Sequence, residues 1–108
     1  MGLVTARAGV VLAVVLAVAA CGTGSRLPDR EPDVGGVVAP GTSGRVVLRE
    51  ASDRYYEGMS LDGDHPVVGS DGEDVELSVG DVVEVWVMGP CAESFPVQCR
   101  LEAVRVVD

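Results

Sequence analysis

The chain has 108 residues and carries 17 acidic against 8 basic side chains, a formal charge of −9 at neutral pH. That balance argues against a nucleic-acid binder or a protein that docks on an anionic lipid surface, because both need a positive footprint. It suits plain solubility, a cationic partner or a divalent metal.

Met1 to Ala8 contain one positive side chain, Arg7, and Gly9 to Ala20 (GVVLAVVLAVAA) form an apolar run that ends in small residues just before Cys21. A membrane-spanning helix needs about 20 apolar residues; the run is shorter, and the order charged, apolar, small is the export pattern. Residues 1–20 therefore read as a signal peptide. Val18-Ala19-Ala20-Cys21 resembles the bacterial lipoprotein box, in which a cysteine is lipidated and becomes the new N-terminus. The resemblance implies acyl chains such as palmitate on Cys21, a stable anchor when two or more are present, and a place on the extracytoplasmic face of the cell membrane. Removal of the signal leaves seven arginines, no lysine and all seventeen acids.

Residues 21–43 are rich in Gly, Pro, Ser and charge without sustained periodicity, the composition of a flexible tether. Within them only Val34, Val37 and Val38 offer material for a short edge strand. Residues 44–108 form the expected folded unit, a size at which one core is marginal and a covalent staple helps. In GRVVLRE (44–50), Val46 and Leu48 alternate with Arg45, Val47 and Arg49, the period of a strand with one buried face. A short helical turn is expected around Ser52 to Met59. EDVELS (73–78) alternates Val75 and Leu77 with acids and reads as a second strand; Val79-Gly80-Asp81 is a turn. VVEVWVM (82–88) is the strongest strand, with Val83, Val85 and Val87 on one face and Glu84 and Trp86 on the other. From Arg100 to Val107 the phase changes, Leu101 and Ala103 against Val104 and Val106, and a bulge near Ala103 reconciles the halves. The expected fold is all-β, a small OB-like barrel or twisted antiparallel sheet.

The stretch from Leu77 to Val107 resembles bacterial secreted and lipoprotein domains of the YobA-like type, in which a VGxxVxVW strand leads into an ESYPAQ-like loop and a closing strand. The matching positions are Val79, Gly80, Val83, Val85, Trp86, Gly89, Glu93, Ser94, Pro96 and Gln98; Phe95 stands in place of tyrosine, and the flanking cysteines are additional. The resemblance implies an OB-like β-domain and export, with no activity to carry over.

Outside the cytoplasm thiols pair, and lipidation of Cys21 leaves Cys91 and Cys99 as the expected disulfide. A structural zinc site needs four ligands, and the exported chain offers two further cysteines and one histidine, His65. The spacing is longer than the Cys-x-x-Cys of a redox pair. Inside the staple, Phe95-Pro96 has access to a cis bond, Phe95 either packs over the barrel end or is displayed, and Glu93 either shapes the turn or meets a partner. Trp86, with Glu93 and Phe95, completes the candidate binding residues. From Glu57 to Glu84 there are nine carboxylates and no arginine. Asp62 and Asp64, and Asp71 and Asp74, are the candidate calcium donors, although Gly and Asp are also ordinary turn residues. No set of nucleophile, base and orienting group stands out, so the expectation is a non-enzymatic envelope protein without a cofactor. It is expected to be anchored in the membrane by its lipid and to bind an envelope protein or small ligand. The alternative is a calcium-binding envelope protein using the acidic turns.

Overall fold

The computed structural model describes residues 26–108; the expected signal peptide, 1–20, and the expected lipidation site, Cys21, lie outside the described residues. Five strands follow in chain order: β1 Val34–Pro40, β2 Val46–Arg49, β3 Val67–Val68, β4 Val82–Ala92 and β5 Gln98–Val106. They form one sheet in the order β2-β1-β4-β5-β3. All neighbours are antiparallel except β3 and β5, which run parallel. The described residues hold no α-helix, only single 3-10 turns at Thr42–Gly44 and Arg54–Tyr56. The sheet curls into half a barrel, as the OB-like expectation requires.

The stretch expected to be a tether is corrected at its C-terminal half. β1 is no edge strand: it lies between β2 and β4, with Val37 opposite Arg49 on one side and Val34 opposite Val85 on the other. Val34 and Val38 are buried, while Gly35 and Gly36 let the neighbouring strands come close. A Cβ on Gly36 would sit 2.6 Å from the Arg49 carbonyl oxygen and 2.7 Å from Leu48 Cδ1. The glycines that make the segment look like a linker are thus what permits it to be crossed tightly by β2.

The apolar face of the sheet closes over Val34, Val38, Leu48, Val83, Val85, Leu101 and Val104, with Met59 and Leu61 from the connection after β2 and Val97 from the β4–β5 loop. Each such side chain contributes roughly 1.5 to 3 kcal/mol on burial. Val46 and Leu48, and Val83, Val85 and Val87, lie on the core side as their alternation predicts. The β5 bulge is also found: Trp86 pairs with Ala103 but Val87 with Leu101, so Glu102 is the extra residue. It brings Leu101 and Val104 to the same face, which strict alternation over three positions would forbid.

The segment 73–78 is not a strand. It makes one bridge, Asp74 to Val68, with Val75 donating to the Val67 carbonyl, and Val75 remains 38% exposed. Three carboxylates within six residues repel one another across so short a stretch, and the two-residue β3 offers little ladder to join. The outer edge of β2 is nevertheless covered. Leu48 donates to Met59, and Gly58 and Leu61 donate to Leu48 and Val46, so residues 58–61 line the free side of β2. That covering removes the bare ladder through which edge strands associate.

Candidate functional site

β4 and β5 end in a loop that is fixed from several directions. Met88 pairs with Arg100 and Ala92 with Gln98, so four steps on β4 face two on β5. The surplus is absorbed where Gly89 takes a left-handed φ of 65° and Pro90 carries no N–H to leave unpaired. Cys91 and Cys99 form a disulfide across this irregular pair, with α-carbons 4.3 Å apart. Beyond it the Ser94 amide donates to the Ala92 carbonyl and the Ser94 hydroxyl to the Pro96 carbonyl (2.8 Å). The Phe95-Pro96 bond is cis, and Val97 turns into the core.

Glu93 ties the loop sideways by accepting a hydrogen bond from the Tyr55 hydroxyl. That bond raises the Tyr55 pKa, since it is the neutral phenol that donates to the carboxylate. Tyr55 is itself held by Asp53, which caps the 3-10 turn and accepts from the Tyr55 amide at 3.0 Å, and by an edge-to-face contact with Tyr56. Glu93 therefore shapes the loop through a side chain 38 positions upstream rather than through backbone amides. Phe95, by contrast, is 102% exposed, displayed rather than packed over the barrel end.

Replacing Cys91 and Cys99 together by serine is expected to cost about 2.5 kcal/mol, the chain-entropy value for a loop this short. Urea unfolding of both proteins measures it; a loss below about 1 kcal/mol would show that the surrounding hydrogen bonds already hold the loop.

Beside Phe95 lies a mainly apolar cavity of about 430 Å³, walled by Val47, Gly58 and Pro96 and rimmed by Arg49 and Glu57. The Glu57 carboxylate accepts from the Glu50 and Ala51 amides (3.2 and 2.9 Å). Arg49 approaches it only to 3.9 Å, an ion pair beyond hydrogen-bond reach. Neither residue stood out in the sequence, where Arg49 reads as the solvent side of a strand and Glu57 as one acid among many. The alternation of Arg45, Val47 and Arg49 along one face was the available signal.

Trp86 is not part of this site. It is 3% exposed on the opposite face of the sheet, under the N-terminal segment, where its indole N–H donates to the Arg30 carbonyl at 2.7 Å. Arg105 lies 5.7 Å from the ring centroid. The same segment completes the β4 ladder where β1 runs out. Asp33 accepts the Val87 amide at 2.7 Å, and Arg30 donates to the Val87 carbonyl, to Asp33 and to bulged Glu102. Burial opposes ionisation of Asp33, but the Val87 amide and Arg30 outweigh it and hold its pKa below the usual value. The candidate binding trio is thereby reduced to Glu93 and Phe95.

The acidic residues are dispersed. Asp62 accepts the Val46 amide, Asp71 the Glu73 amide, and Asp74 pairs with Arg26. Asp62, Asp64 and His65 line one cavity with Arg100, whose charge disfavours a cation there. Burial lowers the His65 pKa, against the opposing pull of the Leu61 backbone and of Asp62 and Asp64. Among the described residues no three His, Cys, Asp or Glu side chains converge as a metal site requires.

These features define a small all-β domain with a disulfide-fixed loop. The chain belongs to the family described as Protein of unknown function (DUF3221), whose model matches residues 43–108. The match begins after β1 and so omits a strand from the middle of the sheet. No curated protein and no solved structure matches the chain.

Proposed function

We propose that the protein is a lipid-anchored component of the cell envelope, of the YobA-like kind, whose non-enzymatic β-domain binds a protein or small ligand through the Cys91–Cys99 loop. The observation that carries this reading is Phe95. An aromatic side chain left in water forgoes roughly 1.5 to 3 kcal/mol of burial, and here it is presented on a loop that cannot readily fold it away.

The tether geometry agrees with that use. Arg26 is paired with Asp74, Asp74 bridges Val68, and Val68 lies opposite Arg105 on β5. From Arg105 back to Gln98, at the base of the loop, is about 23 Å of strand at 3.3 Å per residue. A lipid on Cys21, five residues before Arg26, lies within about 18 Å of it by chain length alone. An anchor there would hold the end of the domain remote from Phe95, which supports a loop directed away from the bilayer and toward soluble or envelope-bound partners.

A photoreactive amino acid placed at position 95 of the full chain is expected to give discrete crosslinked species in cells. The same group at Val79, which is 60% exposed elsewhere on the surface, is expected to give none. Cys21→Ser is expected to release the protein from the membrane fraction. Equal crosslinking from both positions would remove the binding reading, and unchanged membrane retention would remove the lipid anchor.

A further inference from the structure

The geometry points to a ligand for the cavity beside Phe95: we infer that it takes a small amphiphilic carboxylate, an aromatic or aliphatic body bearing one acid group. This deepens the binding reading above and rests on it. The apolar part of such a ligand fits between Phe95 and the wall made by Val47, Gly58 and Pro96. A volume of about 430 Å³ lies in the range of small-molecule sites. The wall is backed tightly: a Cβ on Gly58, whose φ is +82°, would stand 3.2 Å from Pro96 Cβ and 3.3 Å from an Arg49 guanidinium nitrogen. Phe95 supplies a ring face that needs no rearrangement to be covered, since the disulfide, Glu93 and Ser94 already hold the loop.

The charge of the ligand follows from the difference between the two rim groups. Glu57 has both carboxylate oxygens engaged by backbone amides and is held in place. Arg49 lines the same cavity, its side chain is 53% exposed and, among the described residues, its one charge contact is the 3.9 Å ion pair, beyond hydrogen-bond reach, which leaves guanidinium donors for a ligand. A planar guanidinium fork matches a carboxylate in two parallel hydrogen bonds. The small size of the ligand follows from the sheet. β2 runs along this cavity, and its outer edge is already taken by residues 58–61, which leaves no ladder to hold an extended peptide backbone.

The test is an amide NMR titration of the full chain with 3-phenylpropanoate, set against 3-phenylpropanol and 3-phenylpropylamine. Saturable shifts are expected at Val47, Arg49, Gly58 and Phe95 with the acid. Binding should be about tenfold weaker for the alcohol, and weaker again for the amine, for loss of one charge-assisted contact. Arg49→Gln should weaken the acid about tenfold and leave the alcohol unchanged, whereas Phe95→Ala should weaken both. The Trp86 indole resonance, on the far face, reports that each variant is folded. Equal binding of acid, alcohol and amine, or indifference to Arg49→Gln, overturns the carboxylate assignment while leaving Phe95 as a contact. Binding that is indifferent to Phe95→Ala, or shifts confined to other surfaces, overturns the loop reading as well.

Discussion

Trimmed to residues 44–108, the chain is expected to lose its cooperative unfolding transition altogether. The fragment holds nearly all of the family match, yet it lacks β1, and β1 joins β2 to β4. Its loss removes the buried Val34 and Val38, worth roughly 1.5 to 3 kcal/mol each. It also opens both β1 ladders at once, including the bonds from Asp33 to Val85 and from Val38 to Asp81. Against a total stability of about 5 to 15 kcal/mol for an ordinary domain, less for one this small, no margin remains. Thermal denaturation followed by circular dichroism compares the fragment with the full chain. A sharp transition in the fragment, within a few degrees of the parent, would mean that β2 finds another partner and that β1 is dispensable.

The misplaced boundary has a physical origin. Strand reading rests on alternation of apolar and polar side chains, and β1 (VGGVVAP) replaces its polar positions by glycine and closes with proline. Those residues are required by close backbone approach to Arg49 and Leu48, a relation to a distant segment that no local window contains. β4 and the β5 bulge were legible for the opposite reason: Val83, Val85 and Val87, and the phase change at Glu102, encode the buried face directly. The segment 73–78 shows alternation without a partner. Val75 and Leu77 have the right period, but pairing is a property of two strands, and β3 provides only two residues.

The site divides along the same line. The expectation of export and the cysteine count together point to Cys91 and Cys99, and the structure joins them. The direction of Phe95 depends on a loop conformation set jointly by Tyr55, Asp53 and the disulfide, so its display rather than packing is a tertiary fact. Trp86 lies on the face opposite Val85, as the alternation along β4 predicts, but that face is covered by residues that resemble a linker. The charge pairs there, Glu84 with Arg105 and Arg30 with Glu102, lie across strands or far apart in sequence.

Trp86→Ala is expected to destabilise the protein by about 3 to 5 kcal/mol, the range for truncating a buried large aromatic. The indole is covered on one side by the 26–33 segment and faces Ala103 on β5, a side chain too small to fill the space it would vacate. Loss of the ring also releases the Arg30 carbonyl from its 2.7 Å hydrogen bond and removes the aromatic surface beside Arg105. Arg30 would then have less to hold it over the bulge, and its contacts to Val87 and Glu102 weaken together because one side chain makes both. Trp86→Phe separates these contributions. It keeps most of the apolar area but cannot donate to Arg30, and is expected to cost only about 1 kcal/mol more than the lost packing. Urea unfolding followed by far-ultraviolet circular dichroism measures both, since the sole tryptophan is removed in each. Limited proteolysis should show faster cutting between Arg26 and Asp33 in Trp86→Ala than in the parent. A loss under about 1 kcal/mol with unchanged proteolysis would mean that the N-terminal segment lies over Trp86 without stabilising the sheet.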